Sequence, residues 1–191
     1  MRHVVHIIPT LRFGGAEKMV VELIRHADPA EWTFSVITFF NDIPLAAELP
    51  PDVPVYKKKK KGKFSFGLTR QLRHKLSELQ PDVVHTHLFG GDVWGRLAAR
   101  QLKIPVITTE HNVNVSESWL HNLVKRWLRG KSQAYVALSQ AIADYMAQTY
   151  KVHNAHIIPT GISLTRFANI GAPTLLPPVK ILLLGRLTMQ K

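Results

Sequence analysis

Residues able to do chemistry gather in short stretches of this sequence. Val83-Val84-His85-Thr86-His87 sets two imidazoles two positions apart, which puts both on one face of a strand. Glu110-His111-Asn112 follows the apolar run 105–109, so polar side chains stand where a strand ends. Loops at such places carry binding and catalytic groups, although His111 equally suits the structural task of capping a strand end. With Glu110 and His111 close by, His85 and His87 raise a zinc reading. A histidine pair without a clear third ligand more often hydrogen-bonds in a core or cleft, so no metal is expected. Gly14-Gly15 separates the apolar run Val4 to Ile8 from a segment with Ala16, Met19, Val20, Leu23, Ile24 and Ala27 at helical spacing. Those six residues share one helix face. Unpaired N–H groups and the dipole at that helix start favour an anion such as phosphate. The bland alternatives are a glycine pair serving only a tight turn, and Glu17 complementing the dipole with no ligand bound.

Strands and helices alternate along most of the chain and position these stretches. Trp32 to Phe40 reads as a second strand and Val53 to Tyr56 as a short third. Leu68, Leu72, Leu76 and Leu79 mark an amphipathic helix that stops before Pro81. Val83 to His87 is a strand, and Phe89-Gly90-Gly91-Asp92 reads as a second glycine turn with Asp92 as N-cap of the next helix. Pro105 to Thr109 is a strand and Leu120 to Arg129 a basic helix. On that helix Trp119 and Trp127 are expected to cover core and leave Lys125, Arg126 and Arg129 in water, with an acceptor- or membrane-facing patch as the other possibility. Tyr135 to Leu138 is a strand, Ser139 caps the helix that follows, and His156 to Ile158 is the last strand of the set. The pattern predicts an α/β fold, a Rossmann-like parallel sheet with helices on both faces, over residues 1–168. His-Ile-Ile-Pro-Thr occurs at 6–10 and again at 156–160. Unmatched flanks make this two buried strands leaving the sheet alike, not a repeat. Gly171 and the prolines of 169–178 read as a linker, and 179–191 as the first strand of a second domain that is missing here.

Composition narrows the classes. With 191 residues the chain fits one good-sized domain, and 46% hydrophobic with 20% charged content supports a real core. There is no cysteine, which excludes disulfides and thiolate chemistry and suits a reducing compartment. The N-terminus lacks a long apolar stretch, and no run approaches the length of a membrane span, so a cytoplasmic location is expected. A net charge of +12 should attract nucleic acid, anionic lipid or phosphorylated substrates. Lys57 to Lys61 is an unbroken basic run, read first as a solvated loop and second as a contact with an anionic membrane. Nucleic acid comes last, because no aromatic-interleaved basic strand or helix-turn-helix signature is present.

Further motifs complete an ordered set. After Leu11 to Val20, Asp82 to His87 and Thr109 to Asn112 come Val136-Ala137-Leu138-Ser139, then Ile158-Pro159-Thr160-Gly161-Ile162 with Phe167, then Leu184-Gly185-Arg186-Leu187 with Lys191. In this order and spacing the sequence resembles the retaining glycosyltransferases of the GT-B fold, family four, which transfer a sugar from a nucleotide diphosphate sugar. It departs at Thr160 and Ser163, where that family commonly has Asn and Asp. The family has two facing Rossmann-like domains, with most donor contacts and a pair of glutamates on the second. The resemblance thus implies that this is an N-terminal, acceptor-side domain, inactive or nearly so by itself.

It also implies roles. Backbone N–H groups of Gly14 and Gly15 approach the donor diphosphate, and Arg186 and Lys191 bind it as it leaves. His111, the catalytic residue, hydrogen-bonds the transferring sugar, while His85, His87, Glu110 and Asn112 line the cleft on the acceptor side. The nucleotide diphosphate sugar is a co-substrate, and no cofactor is expected. No Asp-x-Asp occurs, so fixed positive charge stands in for a metal–diphosphate clamp. The acceptor is a glycan, a lipid-linked molecule or a small molecule, with peripheral contact to the inner face of the membrane. Two alternative functions are a stand-alone basic module binding nucleic acid or anionic lipid, and a sugar-nucleotide epimerase of similar two-domain architecture.

Overall fold

The computed structural model describes residues 1–58, 66–113 and 118–162, with 164 and 182 as single positions. One compact unit is Met1–Gly161. The expected linker at 169–178 and strand at 179–191 fall outside the described residues, Leu182 apart, as do Arg186 and Lys191.

Strand β1 (Arg2–Ile7) leads into helix α1 (Gly15–His26), then β2 (Trp32–Thr38), a 3-10 turn at Pro44–Glu48 and β3 (Val55–Lys57). Helix α2 (Phe66–Leu79) brings the chain back to β4 (Val83–His87). Then follow α3 (Leu88–Gln101), β5 (Val106–Glu110), α4 (Trp119–Leu128), β6 (Ala134–Ala137), α5 (Gln140–Tyr150) and β7 (His156–Ile157). All seven strands are parallel, in the order β3-β2-β1-β4-β5-β6-β7. The order reverses between β1 and β4. Connections leaving those two strands therefore diverge to opposite faces and open a crevice beyond their carboxyl ends, where open α/β sheets bind ligands.

Alternation along the strands divides the core. Val5, Ile7, Ile37, Val84 and Val106 point to the face covered by α2 and α3, where Leu68, Leu72 and Leu76 are fully buried. Val36 points to the other face, where Ile8 joins Val20, Val21 and Ile24 of α1. His6, His85 and His87 occupy this second face, because parallel register pairs His6 with His85 and places both opposite Val5 and Val84.

Helix α3 corrects the expected glycine turn at 89–92. Leu88 turns the chain directly after β4 with φ of 60°, and residues 88–101 are helical. Asp92 is therefore no cap: it is 1% exposed inside the helix, with Arg96 Nη2 3.3 Å from its carboxylate. The glycines let α3 lie flush on the sheet. A Cβ on Gly91 would fall 2.5 Å from the Ile7 carbonyl oxygen, and one on Gly95 2.8 Å from Thr86 Cγ2.

Helix α4 keeps Arg126 and Arg129 in water as expected but corrects the other three side chains. Trp119 and Trp127 are 76% and 60% exposed, while Lys125 is 3% exposed. Lys125 Nζ donates to Glu110 Oε2 (2.9 Å) and to Tyr150 Oη (3.0 Å), so a buried carboxylate and a phenol draw the ammonium inward. The repeated pentapeptide also divides. His6 and Ile7 are buried in a central strand, whereas His156 and Ile157 form an exposed edge strand, not a buried one. Ser139 does cap α5, its Oγ accepting from the Ile142 N–H at 3.3 Å.

Candidate active site

Histidines collect at the crevice between β1 and β4. Ring nitrogens of His6 (Nδ1) and His87 (Nε2) share a hydrogen bond of 3.0 Å. His87 Nδ1 shares a second, of 3.2 Å, with His111 Nε2. His85 Nε2 bonds Thr109 Oγ1 at 2.7 Å. The rings also pack together, His85 on His87 with centroids 4.2 Å apart and His6 on Phe34 at 5.8 Å. Each position follows from the strand pattern. His6 and His87 lie at the carboxyl ends of adjacent strands, and His111 is the first residue past β5.

Burial keeps these rings uncharged. It pushes His6 and His111 down to about 4. His85 and His87 are held well below the ordinary histidine value, first by burial and then by repulsion from the neighbouring imidazoles. A cluster of neutral rings donates and accepts hydrogen bonds but supplies no net positive charge.

The four-residue grouping behind the zinc alternative does not assemble, because Glu110 projects from the opposite face of β5 onto Lys125. A trio does form among the described residues, with ring nitrogens of His6, His85 and His87 within 4.8 Å of one another. Sequence reasoning passed over His6, whose one signal was a polar residue inside an otherwise apolar run. In that trio the facing nitrogens of His6 and His87 bond to each other. Of the cleft residues, His85 and His87 thus come together with His111. Glu110 does not, and Asn112 is exposed at the rim.

Gly14 and Gly15 start α1, at the same carboxyl edge. Gly14 is the N-cap, in extended backbone and with no side-chain cap, and its carbonyl accepts the Lys18 N–H at 2.9 Å. Over this turn lies Glu17, 9% exposed, whose Oε1 accepts from Thr10 Oγ1 at 2.9 Å. A side chain at position 14 would collide with that carboxylate. A carboxylate therefore complements this helix start in the ligand-free chain.

Comparison with known proteins gives the arrangement a family. EpsF of Bacillus subtilis (strain 168), named as a candidate glycosyltransferase, is 26% identical over 184 residues, covering 89% of this chain and 48% of its own. A glycosyltransferase from Rickettsia africae ESF-5 superposes with a TM-score of 0.72 at 20% identity, over 89% of this chain and 46% of that one. Anabaena Alr3699/HepE, solved in complex with UDP-glucose, gives 0.72 at 15% identity, over 86% and 45%. At these identities the structural likeness is one of fold. The chain spans about half the length of the relatives it matches. A family model, Glycosyltransferase Family 4, matches residues 13–166, the larger part of the chain and every strand end just described except that of β1, and the chain belongs to that family.

Proposed function

We propose that this chain is the acceptor-side half of an enzyme that moves a sugar from a nucleotide diphosphate sugar to a glycan, lipid-linked or small-molecule acceptor, with retention at the anomeric carbon. The observation that carries the reading is His111, neutral and held by His87 at 3.2 Å at the carboxyl edge of the sheet. In this reading His111 hydrogen-bonds the transferring sugar, and the N–H groups of Gly14 and Gly15 approach the diphosphate. Glu17 must then yield its place to the phosphate oxygens. Arg186 and Lys191 supply the positive charge that the histidines lack, and such charge aimed at a leaving diphosphate is the main catalytic term. No metal or cofactor takes part, and the nucleotide sugar is a co-substrate.

Anabaena HepE was crystallised with UDP and UDP-glucose, which makes uridine diphosphate sugars the first donors to try. Helix α4 supports an acceptor presented at an anionic membrane, since Trp119, Leu120, Leu123 and Trp127 are exposed together beside Arg126 and Arg129. The test is nucleotide release and product formation from a panel of UDP-sugars. The chain alone is expected to give neither. Joined to a nucleotide-binding Rossmann-like half of the same family, it is expected to transfer, and His111→Ala is expected to lower kcat about 100-fold or more. Turnover by the isolated chain, or full activity in the His111→Ala enzyme, would contradict the reading.

A further inference from the structure

His6, His87 and His111 form a continuous chain of N–H···N hydrogen bonds with a direction. A neutral imidazole carries one proton, so it donates from one nitrogen and accepts at the other. His87 uses both nitrogens, Nε2 toward His6 and Nδ1 toward His111. Only two arrangements satisfy both bonds. In the outward one, His6 Nδ1–H donates to His87 Nε2, and His87 Nδ1–H donates to His111 Nε2. In the inward one every proton shifts, so that His111 Nε2–H donates to His87 and His87 Nε2–H donates to His6.

The far end of the chain distinguishes them. His6 Nε2 is fully buried and has no hydrogen-bond partner among the described residues. The inward arrangement puts a proton there and orphans a buried N–H. The outward one leaves a bare lone pair, and buried orphan donors are the rarer kind. At this face Phe34 stacks on His6, and the neighbouring His85 is tied to Thr109.

We infer that His6 and His87 act as positioning residues that hold His111 in the Nδ1–H tautomer, so that it offers its ligand an N–H donor and not a lone pair. Free neutral histidine favours the other tautomer. The buried pair therefore sets a property that His111 would not adopt unaided. His111 Nδ1 makes no hydrogen bond among the described residues and is the open end of the chain. A donor there suits the hydroxyl and ring oxygens of a sugar. That last step rests on the proposed function, while the tautomer rests on the histidine geometry alone.

Long-range ¹H–¹⁵N correlation spectra of the ¹⁵N-labelled chain near pH 7 read each ring nitrogen directly. Protonated Nδ1 is expected on His6, His87 and His111 alike. His87→Ala opens space for water beside His111 Nε2 and is expected to shift most of its population to Nε2–H. His87→Asn sets an amide N–H where Nδ1–H stood and is expected to restore the Nδ1–H form. Protonated Nε2 on His111 in the parent chain would overturn the inference. So would one and the same His111 tautomer in both variants, or ring signals that change between chelator-treated and zinc-loaded protein. If the spectra follow expectation but transfer by the two-domain enzyme ignores both substitutions, the role of His111 toward sugar fails and the directed chain stands.

Discussion

Neutral histidines make the site sensitive to acid in a defined window. Burial holds His6 and His111 at about 4, while an unfolded chain protonates near the ordinary value of 6.5. Between those values the unfolded state binds protons that the folded state refuses. Stability therefore falls as pH drops from about 6.5 to about 4, and His6 alone contributes ~3 kcal/mol over that range. Urea unfolding midpoints measured across the window should decline steadily, and His6→Phe should flatten part of the slope. Three of the site histidines were legible because alternation marks His85 and His87 and a strand end marks His111. His6 was hidden by its surroundings, since a buried strand and a buried strand with one functional ring have nearly the same hydropathy. Glu110 was misplaced although the same alternation places it opposite Thr109; proximity in sequence was allowed to override the period of the strand.

Among the elements, α3 depends most on small side chains. Gly91 rests on the backbone oxygen of Ile7, and a carbonyl in a central strand has little freedom to move. Gly91→Ala should destabilise the fold by about 1–3 kcal/mol, visible as a lower thermal midpoint, whereas Gly130→Ala, where nothing lies within 4 Å, should change little. Strand and helix order was readable from hydrophobic period and cap residues, down to Ser139 on α5. The start of α3 was not, since Gly-Gly reads locally as a turn, and the reason for Gly91 inside a helix is its close approach to the Ile7 carbonyl, a contact distant in sequence. The inside of α4 was likewise hidden. Lys125 faces inward because Glu110 and Tyr150 await it, and both partners lie far from it in sequence.

At the scale of the whole molecule, the chain has a net charge of +12, and among its described residues α4 shows an outward stripe of indoles and leucines. Among the described residues no helix is long and apolar enough to cross a membrane. Such a surface favours lying on an anionic bilayer, with rings at the headgroup boundary and cations near the phosphates. Sedimentation with vesicles rich in phosphatidylglycerol should carry the chain down at low salt, and phosphatidylcholine vesicles should not. Replacing Trp119 and Trp127 together by alanine should weaken the association about tenfold, and raised salt should weaken it further. Net charge pointed in the sequence only to some anionic partner; the outward indole face of α4 became visible once the helix was seen to turn its lysine inward.

The sheet begins on a strand of three residues and finishes on one of two. Raw backbone at such margins offers an incoming segment only a rung or so of pairing, too little to template growth from one molecule onto the next. Strand-to-strand growth through the main chain is thereby discouraged at both flanks of the described sheet.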